Sequence, residues 1–289
     1  MTEASTLVEE GARRLSRSPA IDQWPADRGT IEAEALLAHV LGLDDPDDLD
    51  PDESVDARRA ARFRALVRRR AGGEPMAHIL GYARFRDLEL IVRPGAFVPR
   101  QSSEFLAEQA VRRLRRRAKP VLVDLATGAG PVALAVAHEV PRADVHGTDL
   151  LDVGLRHARE NARALGLRNA RFYRGDLYGP LPGRLKGRVD VVAIHPPYVP
   201  KGEIEDLPLE IRGFEPVEVL TDHSEHGLDL VERTVEEGWD WLRPGGWILI
   251  EVSPDRARPV KGVLQRHGYR EVRSTRGWPD VTRVVVARA

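Results

Sequence analysis

The sequence predicts an α/β protein: a mostly parallel sheet covered by helices on both faces, preceded by a small helical domain. Three observations carry this. From Pro120 onward, apolar runs of strand length alternate with segments of helical period, the pattern of a sheet built from strand–helix–strand units. Residues 1–72 show helical spacing only. Finally, Val121–Leu125 runs straight into a turn of small residues, Ala126-Thr-Gly-Ala-Gly130, that opens a helix. Such a turn lets backbone approach a nucleotide-like ligand.

The elements follow in order. Ile31, Leu36, Leu37, Val40 and Leu41 fall near helical spacing, and Phe63, Leu66 and Val67 do the same within Val55–Arg70. Between them the acidic stretch Asp44–Glu53, broken by Pro46 and Pro51, is expected to be a solvated connector that caps the next helix. Gly72-Gly73 ends the helical part, so residues 1–73 are expected to form the first domain. Phe85–Val92 alternates as a strand within a hairpin, and residues 74–98 are assigned to a linker and that hairpin. Ser102 or Ser103 is expected to cap a helix running to about Arg117, at the start of the second domain, 99–289. Strands are expected at Val121–Leu125, Asp144–Thr148, Ala170–Tyr173, Val189–Ile194, Trp247–Val252 and Val281–Ala287. The helices between them are Ala133–Val140, Val153–Leu165, Leu228–Leu242 and Ala257–His267.

Bulk properties narrow the function classes. A net charge of -1 gives no global field to recruit nucleic acid or anionic membrane. The absence of cysteine excludes disulfides, thiolate zinc sites and thiol catalysis. The first ten residues lack the basic and apolar regions of a signal peptide, and no apolar run reaches membrane-spanning length. The cytoplasm is the expected location and no membrane partner is expected. The nine histidines are dispersed without a carboxylate at ligand spacing, so no metal is implied.

The chemistry concentrates at strand ends, where ligands of parallel sheets bind. Gly128 and Gly130 remove side chains where backbone must pass a ligand, and Asp124 is placed to hold an ammonium group. Asp149 ends the next strand and can accept both hydroxyls of a ribose; it would also serve as a helix N-cap. Asp176, or the backbone beside it, can meet an adenine amine; it would equally suit an ordinary turn. Asp149 alone does not separate S-adenosyl-L-methionine (SAM) from a dinucleotide. Acids after three successive strands, followed by His195-Pro-Pro-Tyr198 after the fourth, favour SAM. The expected cofactor contacts are Asp124, Ala126, Thr127, Gly128, Gly130, Asp149, Leu150, Asp176, Leu177 and His195.

His195, Pro196, Pro197 and Tyr198 are the expected catalytic segment. An amide or exocyclic amine has a delocalised lone pair, so the enzyme must accept hydrogen bonds from its NH2 group and aim the nitrogen at the methyl donor. Two prolines fix φ and leave carbonyls free, and Tyr198 offers a ring face to a planar group. Neutral His195 accepts through one ring nitrogen, whereas protonated His195 does not. The alternative for His195 is a degenerate position in an enzyme of relaxed or lost activity.

Over nearly its whole length the chain resembles the protein-glutamine N5-methyltransferases of the HemK/PrmC type. The resemblance is carried by the helical N-terminal part, Glu74–Gly81, Phe85–Leu88, Arg93–Gly95, Val98–Arg100, the turn at 124–130 and Pro196-Pro-Tyr198. Glu215-Pro216, Gly227–Asp229, Pro244–Gly246 and Glu251 complete it. It implies a Rossmann-like SAM-dependent methyltransferase domain with a small N-terminal helical domain for substrate recognition, joined by a β-hairpin. It further implies a Gln side-chain amide as acceptor, in a protein such as a peptide-chain release factor or a ribosomal protein. Arg100 and Glu104 would shape the substrate channel, with His195, Pro196 and Tyr198; Glu104 would also suit the first turn of a helix. Three departures stand out: His195 replaces the family's Asn, Gln101-Ser-Ser103 replaces Pro-Glu-Thr, and Ala126 replaces a Gly.

Two other functions remain open on the residues alone. One is a nucleic-acid amine methyltransferase working on adenine or guanine; the other is a SAM-binding protein without turnover. The arginines at 68–70 and 112–117 suit phosphate contact or a plain solvated face, without aromatic residues that would read single strands.

Overall fold

The computed structural model describes residues 1–277 and 282–289. They form two compact units, Met1–Tyr82 with Glu205–Phe214, and Ala83–Ile204 with Glu215–Ala289.

The first unit contains β1 (Thr2–Glu3), α1 (Ala4–Leu15), α2 (Arg28–Leu41), β2 (Ser54–Val55), α3 (Ala57–Ala71) and α4 (Met76–Leu80). It also takes in the one-turn helix Leu209–Arg212, α8 in chain order. Leu36, Leu37, Val40, Phe63, Leu66 and Val67 enter its core as their helical spacing predicts, joined by Leu7 and Leu15, whereas Ile31 faces outward, half exposed. Gly11 admits the Phe63 ring: a Cβ there would lie 2.7 Å from Cζ. The acidic connector holds a 3-10 turn at Pro46–Asp48, and the cap of α3 comes from the residue beyond it, Asp56, which accepts from the Arg58 and Arg59 amides. The unit runs past the expected boundary at 73, because the chain re-enters a helix at Met76 that packs Ile79 onto the same core.

That core contains charge. Arg70 is fully buried and binds Glu32 (Nε–Oε2, 2.7 Å) and Glu210 (Nη2–Oε2, 2.6 Å), while Arg28 also bridges both carboxylates. Burial alone would raise the Glu210 carboxyl, but Arg70, the Asp22 amide and Arg28 together hold it below the usual range.

From Tyr82 the chain forms the expected hairpin, β3 (Tyr82–Phe85) and β4 (Leu88–Ile91), with its turn inside the run Phe85–Val92 that is expected to be one of its strands. Arg86 turns the chain with a positive φ of 52°. Next come α5 (Glu104–Leu114), β5 (Val121–Leu125), α6 (Pro131–Glu139), β6 (Asp144–Asp149), α7 (Asp152–Ala164), β7 (Ala170–Arg174) and β8 (Val189–Ile194). After α8 follow α9 (Asp229–Trp241), β9 (Leu242–Val252), α10 (Ala257–Arg266), β10 (Arg270–Arg276) and β11 (Arg283–Arg288). Helix α5 stops at Leu114, short of the expected Arg117. Strand β9 starts at Leu242 rather than Trp247, and β10 is an additional strand whose mostly exposed, arginine-rich face carries little apolar signal. The expected start of the last strand at Val281 lies outside the described residues.

The sheet order is β10-β11-β9-β8-β5-β6-β7. Strands β9, β8, β5, β6 and β7 are parallel, and β11 and β10 add antiparallel edges. Alternate residues of each central strand feed opposite cores. Leu122, Val145, Val191 and Leu249 pack with α5, α6 and α7; Val123, Leu125, Val192, Ile194 and Ile250 pack with α9 and α10. Chain order reverses between β5 and β8, so their carboxyl ends flank the switch point where parallel sheets bind ligands.

Candidate active site

Strand register assembles the site. Leu125 pairs with Thr148 on one side and Ile194 on the other, so the 126–130 turn, Asp149 and His195 leave the sheet side by side. Ile194 pairs in turn with Ile250, which brings Glu251 next to His195.

The turn is tightly braced. Ala126, Gly128 and Gly130 all have positive φ. The Thr127 amide donates to the Thr148 carbonyl at 2.9 Å, tying the turn to β6. Asp124 is buried, and its Oδ2 accepts from the Thr127 hydroxyl at 2.5 Å and the Ala133 amide at 3.2 Å. Burial, with Asp149 nearby, pushes the Asp124 carboxyl up to about 7 against those two donors. Gly154 of α7 lies directly against the turn: a Cβ there would sit 2.9 Å from the Gly128 carbonyl carbon.

Asp149 does not cap α7, whose N-cap is Leu151. Its Oδ2 accepts from the Gly128 amide and its Oδ1 from the Leu151 amide, both at 2.8 Å. Burial raises its carboxyl above the ordinary value, opposed by these two amides. Each oxygen keeps acceptor capacity. Beside it Leu150 is 58% exposed, an apolar side chain held out at the rim. These features fit a nucleoside: spare acceptors for a diol, an apolar surface for a base, and open space over Gly128, where a Cβ would meet only Phe97 Cβ, at 3.9 Å.

The third expected acid is differently placed. Asp176 pairs with Arg233 at 2.6 Å near the surface, so of the two contacts expected after β7 the backbone of Asp176 and Leu177 is the one without a competing ion pair. Glu104 accepts from the Arg86 amide at 2.8 Å and so braces the hairpin turn.

Around His195 the side chains converge. Its ring stacks on Tyr198 with centroids 5.8 Å apart and meets Phe97 edge-on at 5.4 Å. Nδ1 lies 3.1 Å from Ser103 Oγ and 3.7 Å from Glu251 Oε2. Burial lowers the His195 pKa below its ordinary value, with Arg100 acting in the same sense and Glu251 against it, so the neutral ring is favoured. Arg100 pairs with Glu215 and lies 4.6 Å from the Phe97 ring centroid. Burial, with Glu251, raises the Tyr198 hydroxyl to about 12. Gly227 supports this segment from below; at φ +64°, a Cβ on it would lie 2.0 Å from the Tyr198 carbonyl oxygen.

His195, Tyr198 and Arg100 are thus brought together, and Asp124, Thr127, Gly128 and Asp149 form a neighbouring cluster. Phe97, which meets the His195 ring and is the nearest side chain over Gly128, carries no motif signal and is missed by sequence reasoning. Ser103, expected as a helix cap, makes no cap hydrogen bond. The basic groove that includes Arg113, Arg117 and Arg188 lies near the opposite, amino ends of β5 and β8.

Comparisons with known proteins agree with this geometry. A family model described as the PrmC N-terminal domain matches residues 7–81, and one described as the methyltransferase small domain matches residues 88–208. A release factor glutamine methyltransferase of Coxiella burnetii is 33% identical over 99% of this chain and 98% of its own length. That of Bordetella pertussis is 36% identical over 88% of this chain and 93% of its own. Among solved structures, the Thermus thermophilus 16S rRNA N2 G1207 methyltransferase, in complex with AdoMet and guanosine, superposes with a TM-score of 0.52 at 19% identity, covering 72% of this chain and 49% of its own. A Pyrococcus furiosus methyltransferase gives 0.50 at 18% identity over 70% and 89%. These two likenesses establish the Rossmann-like methyltransferase fold. The identities over nearly full length establish more: the chain belongs to the release factor glutamine methyltransferase family.

Proposed function

We propose that this chain transfers a methyl group from SAM to the side-chain amide nitrogen of a glutamine in a peptide-chain release factor. The observation that carries this is the strand register that sets the Gly128 turn and His195-Pro-Pro-Tyr198 side by side at the switch point. The full-length similarity to release factor glutamine methyltransferases supports the acceptor.

In this function Asp124, Ala126, Thr127, Gly128 and Gly130 hold SAM from the first turn, Asp149 and Leu150 from the end of β6, and Asp176 and Leu177 from the next loop. Bound SAM would supply an activated methyl group and leave as its demethylated thioether, while the amide nitrogen gives up one proton to solvent as the N–C bond forms. The chain's own residues orient the acceptor. The Pro196 carbonyl and neutral His195 accept the two amide N–H bonds, and Tyr198 packs against the amide plane. Alignment of a weak nucleophile in this way supplies most of the acceleration. Arg100 lines the acceptor channel. Glu104 supports that channel indirectly, through its hold on Arg86. The N-terminal helical domain recognises the protein substrate, and the cytoplasm is the site of action. Among the described residues no helix is long and apolar enough to cross a membrane. Nucleic acid contact, where it occurs, is secondary and falls to the basic groove away from the rim.

The test is incubation of the purified chain with labelled SAM and a recombinant release factor from the same organism, followed by peptide mapping. One methyl on a glutamine is the expected product. Label that enters RNA instead, or no transfer despite tight SAM binding, overturns the assignment.

A further inference from the structure

We propose that Ser103 and Glu251 are positioning residues that keep the proton of His195 on Nδ1, leaving Nε2 as the acceptor for the amide N–H. This rests on the methyl-transfer function proposed above and goes beyond it by assigning the proton. An asparagine at position 195 would present its carbonyl oxygen without further help. A neutral imidazole has one donor nitrogen and one acceptor, and only one placement of the proton lets the outer nitrogen accept.

The geometry favours that placement. Among the described residues the polar contacts of the ring are all at Nδ1, with Ser103 Oγ at 3.1 Å and Glu251 Oε2 at 3.7 Å. The side chain of His195 keeps 18% exposure while Glu251 keeps 1%. Glu251 Oε1 accepts from the Thr282 hydroxyl at 3.1 Å, whereas Oε2 is buried with no hydrogen-bond partner. A buried carboxylate oxygen in that position attracts an N–H and repels a lone pair. At 3.7 Å it acts through space; Ser103 Oγ is near enough to accept the Nδ1 proton directly. The opposite arrangement would have Ser103 donate to Nδ1, turning the ring lone pair towards Glu251 and placing a proton where the substrate also brings one. Tyr198, stacked on one face, and Phe97, meeting the ring edge-on, hold the plane of the ring. The charged and titratable groups facing the ring are Glu251 from β9, Arg100 from the loop before α5, and Tyr198 from its own segment. Burial, and secondarily Arg100, disfavour a second proton against Glu251, so the ring is held neutral.

The test is 15N NMR of the full chain labelled at histidine, with His195→Asn used to assign the ring, recorded well above the ordinary histidine pKa. The expected spectrum shows a protonated Nδ1 and an unprotonated Nε2. Glu251→Gln, whose amide can donate to Nδ1, moves the proton to Nε2 and lowers kcat for methyl transfer by about tenfold or more, as loss of a tautomer-fixing carboxylate does elsewhere. Its SAM affinity by calorimetry stays that of the parent. Ser103→Ala moves the proton population in the same direction and less far, and serves if the Gln variant does not fold. A parent chain protonated at Nε2, or a proton that stays in place in both variants, overturns the proposal. A parent chain with the proton on Nδ1 that methylates no protein overturns the function instead and leaves the proton assignment standing.

Discussion

Ser103 directs its hydroxyl to His195, 3.1 Å away, and leaves the helix that begins after it without a side-chain cap. A serine at a helix start normally contributes about 1 kcal/mol by accepting from an amide of the first turn. Ser103 is not placed to do so, because its backbone is already helical at the end of the 3-10 turn Gln101–Ser103, and its hydroxyl meets a residue 92 positions away at the sheet rim.

The first prediction concerns pH. His195 is pushed below its ordinary pKa of 6.5, mainly by burial. The neutral ring proposed to accept the amide N–H is therefore present down to below that value, and the rate is expected to fall as pH drops through the lowered pKa. A profile of kcat/KM over about pH 5 to 8 should show its acid limb below 6.5, and His195→Asn should remove that limb. A limb that persists in the Asn variant would assign it to another group.

Asp124 gives the second. Its carboxyl is raised to about 7, so between its unfolded value and about 7 the folded chain holds a proton that the unfolded chain has lost. Stability therefore falls as pH rises through that window and levels off above it. Asp124→Asn retains an acceptor for Thr127 and Ala133 but has no charge to bury. Urea melts at several pH values should show a flatter dependence for the variant, and an unchanged slope would count against the raised pKa.

The turn itself supplies the third. Gly154→Ala would place a methyl about 3 Å from the Gly128 backbone, which has no flexible end to move aside. Such overpacking costs about 1–3 kcal/mol and displaces the turn proposed to hold SAM. Calorimetry should show SAM affinity weakened on the order of tenfold, equal to about 1.4 kcal/mol.

The fourth separates binding from transfer. Gly227→Ala forces a Cβ into the Tyr198 carbonyl and adds a left-handed strain of roughly 1–2 kcal/mol at φ +64°. Transfer should fall sharply while SAM affinity holds. Equal losses in both would place Gly227 in the general support of the fold.

The fifth is structural. Arg70→Ala removes the buried cation between Glu32 and Glu210 and leaves Arg28 alone against both, which costs on the order of 3 kcal/mol, the low end for breaking a buried pair. Hydrogen exchange should accelerate in α2, α3 and residues 205–214.

How legible this was in the chain varies by element. The parallel strands β5, β6, β7 and β8 were readable nearly to the residue because each is a short run ended by a turn signal. The hairpin was legible but its strand bounds were not: the turn falls at Arg86-Asp87, inside the run expected to be one strand, and a positive φ at arginine leaves no trace in a pattern. Strand β10 was hidden because an exposed edge strand rich in arginine has no apolar period. The segment proposed for transfer is marked in the chain by its prolines. Its surroundings are not: Phe97, Ser103 and Glu251 reach His195 from three different elements, and their meeting depends on register.

The first unit is completed by a piece of chain that lies more than 120 positions beyond its other residues. Arg28 and Arg70 share two carboxylates, and one of them, Glu210, arrives only with that piece. During synthesis the emerging helices therefore hold two arginines against the single acid Glu32 until most of the sheet has been made. A fragment cut after residue 82 would inherit the same imbalance permanently, so the amino-terminal helices mature with the enzyme rather than ahead of it.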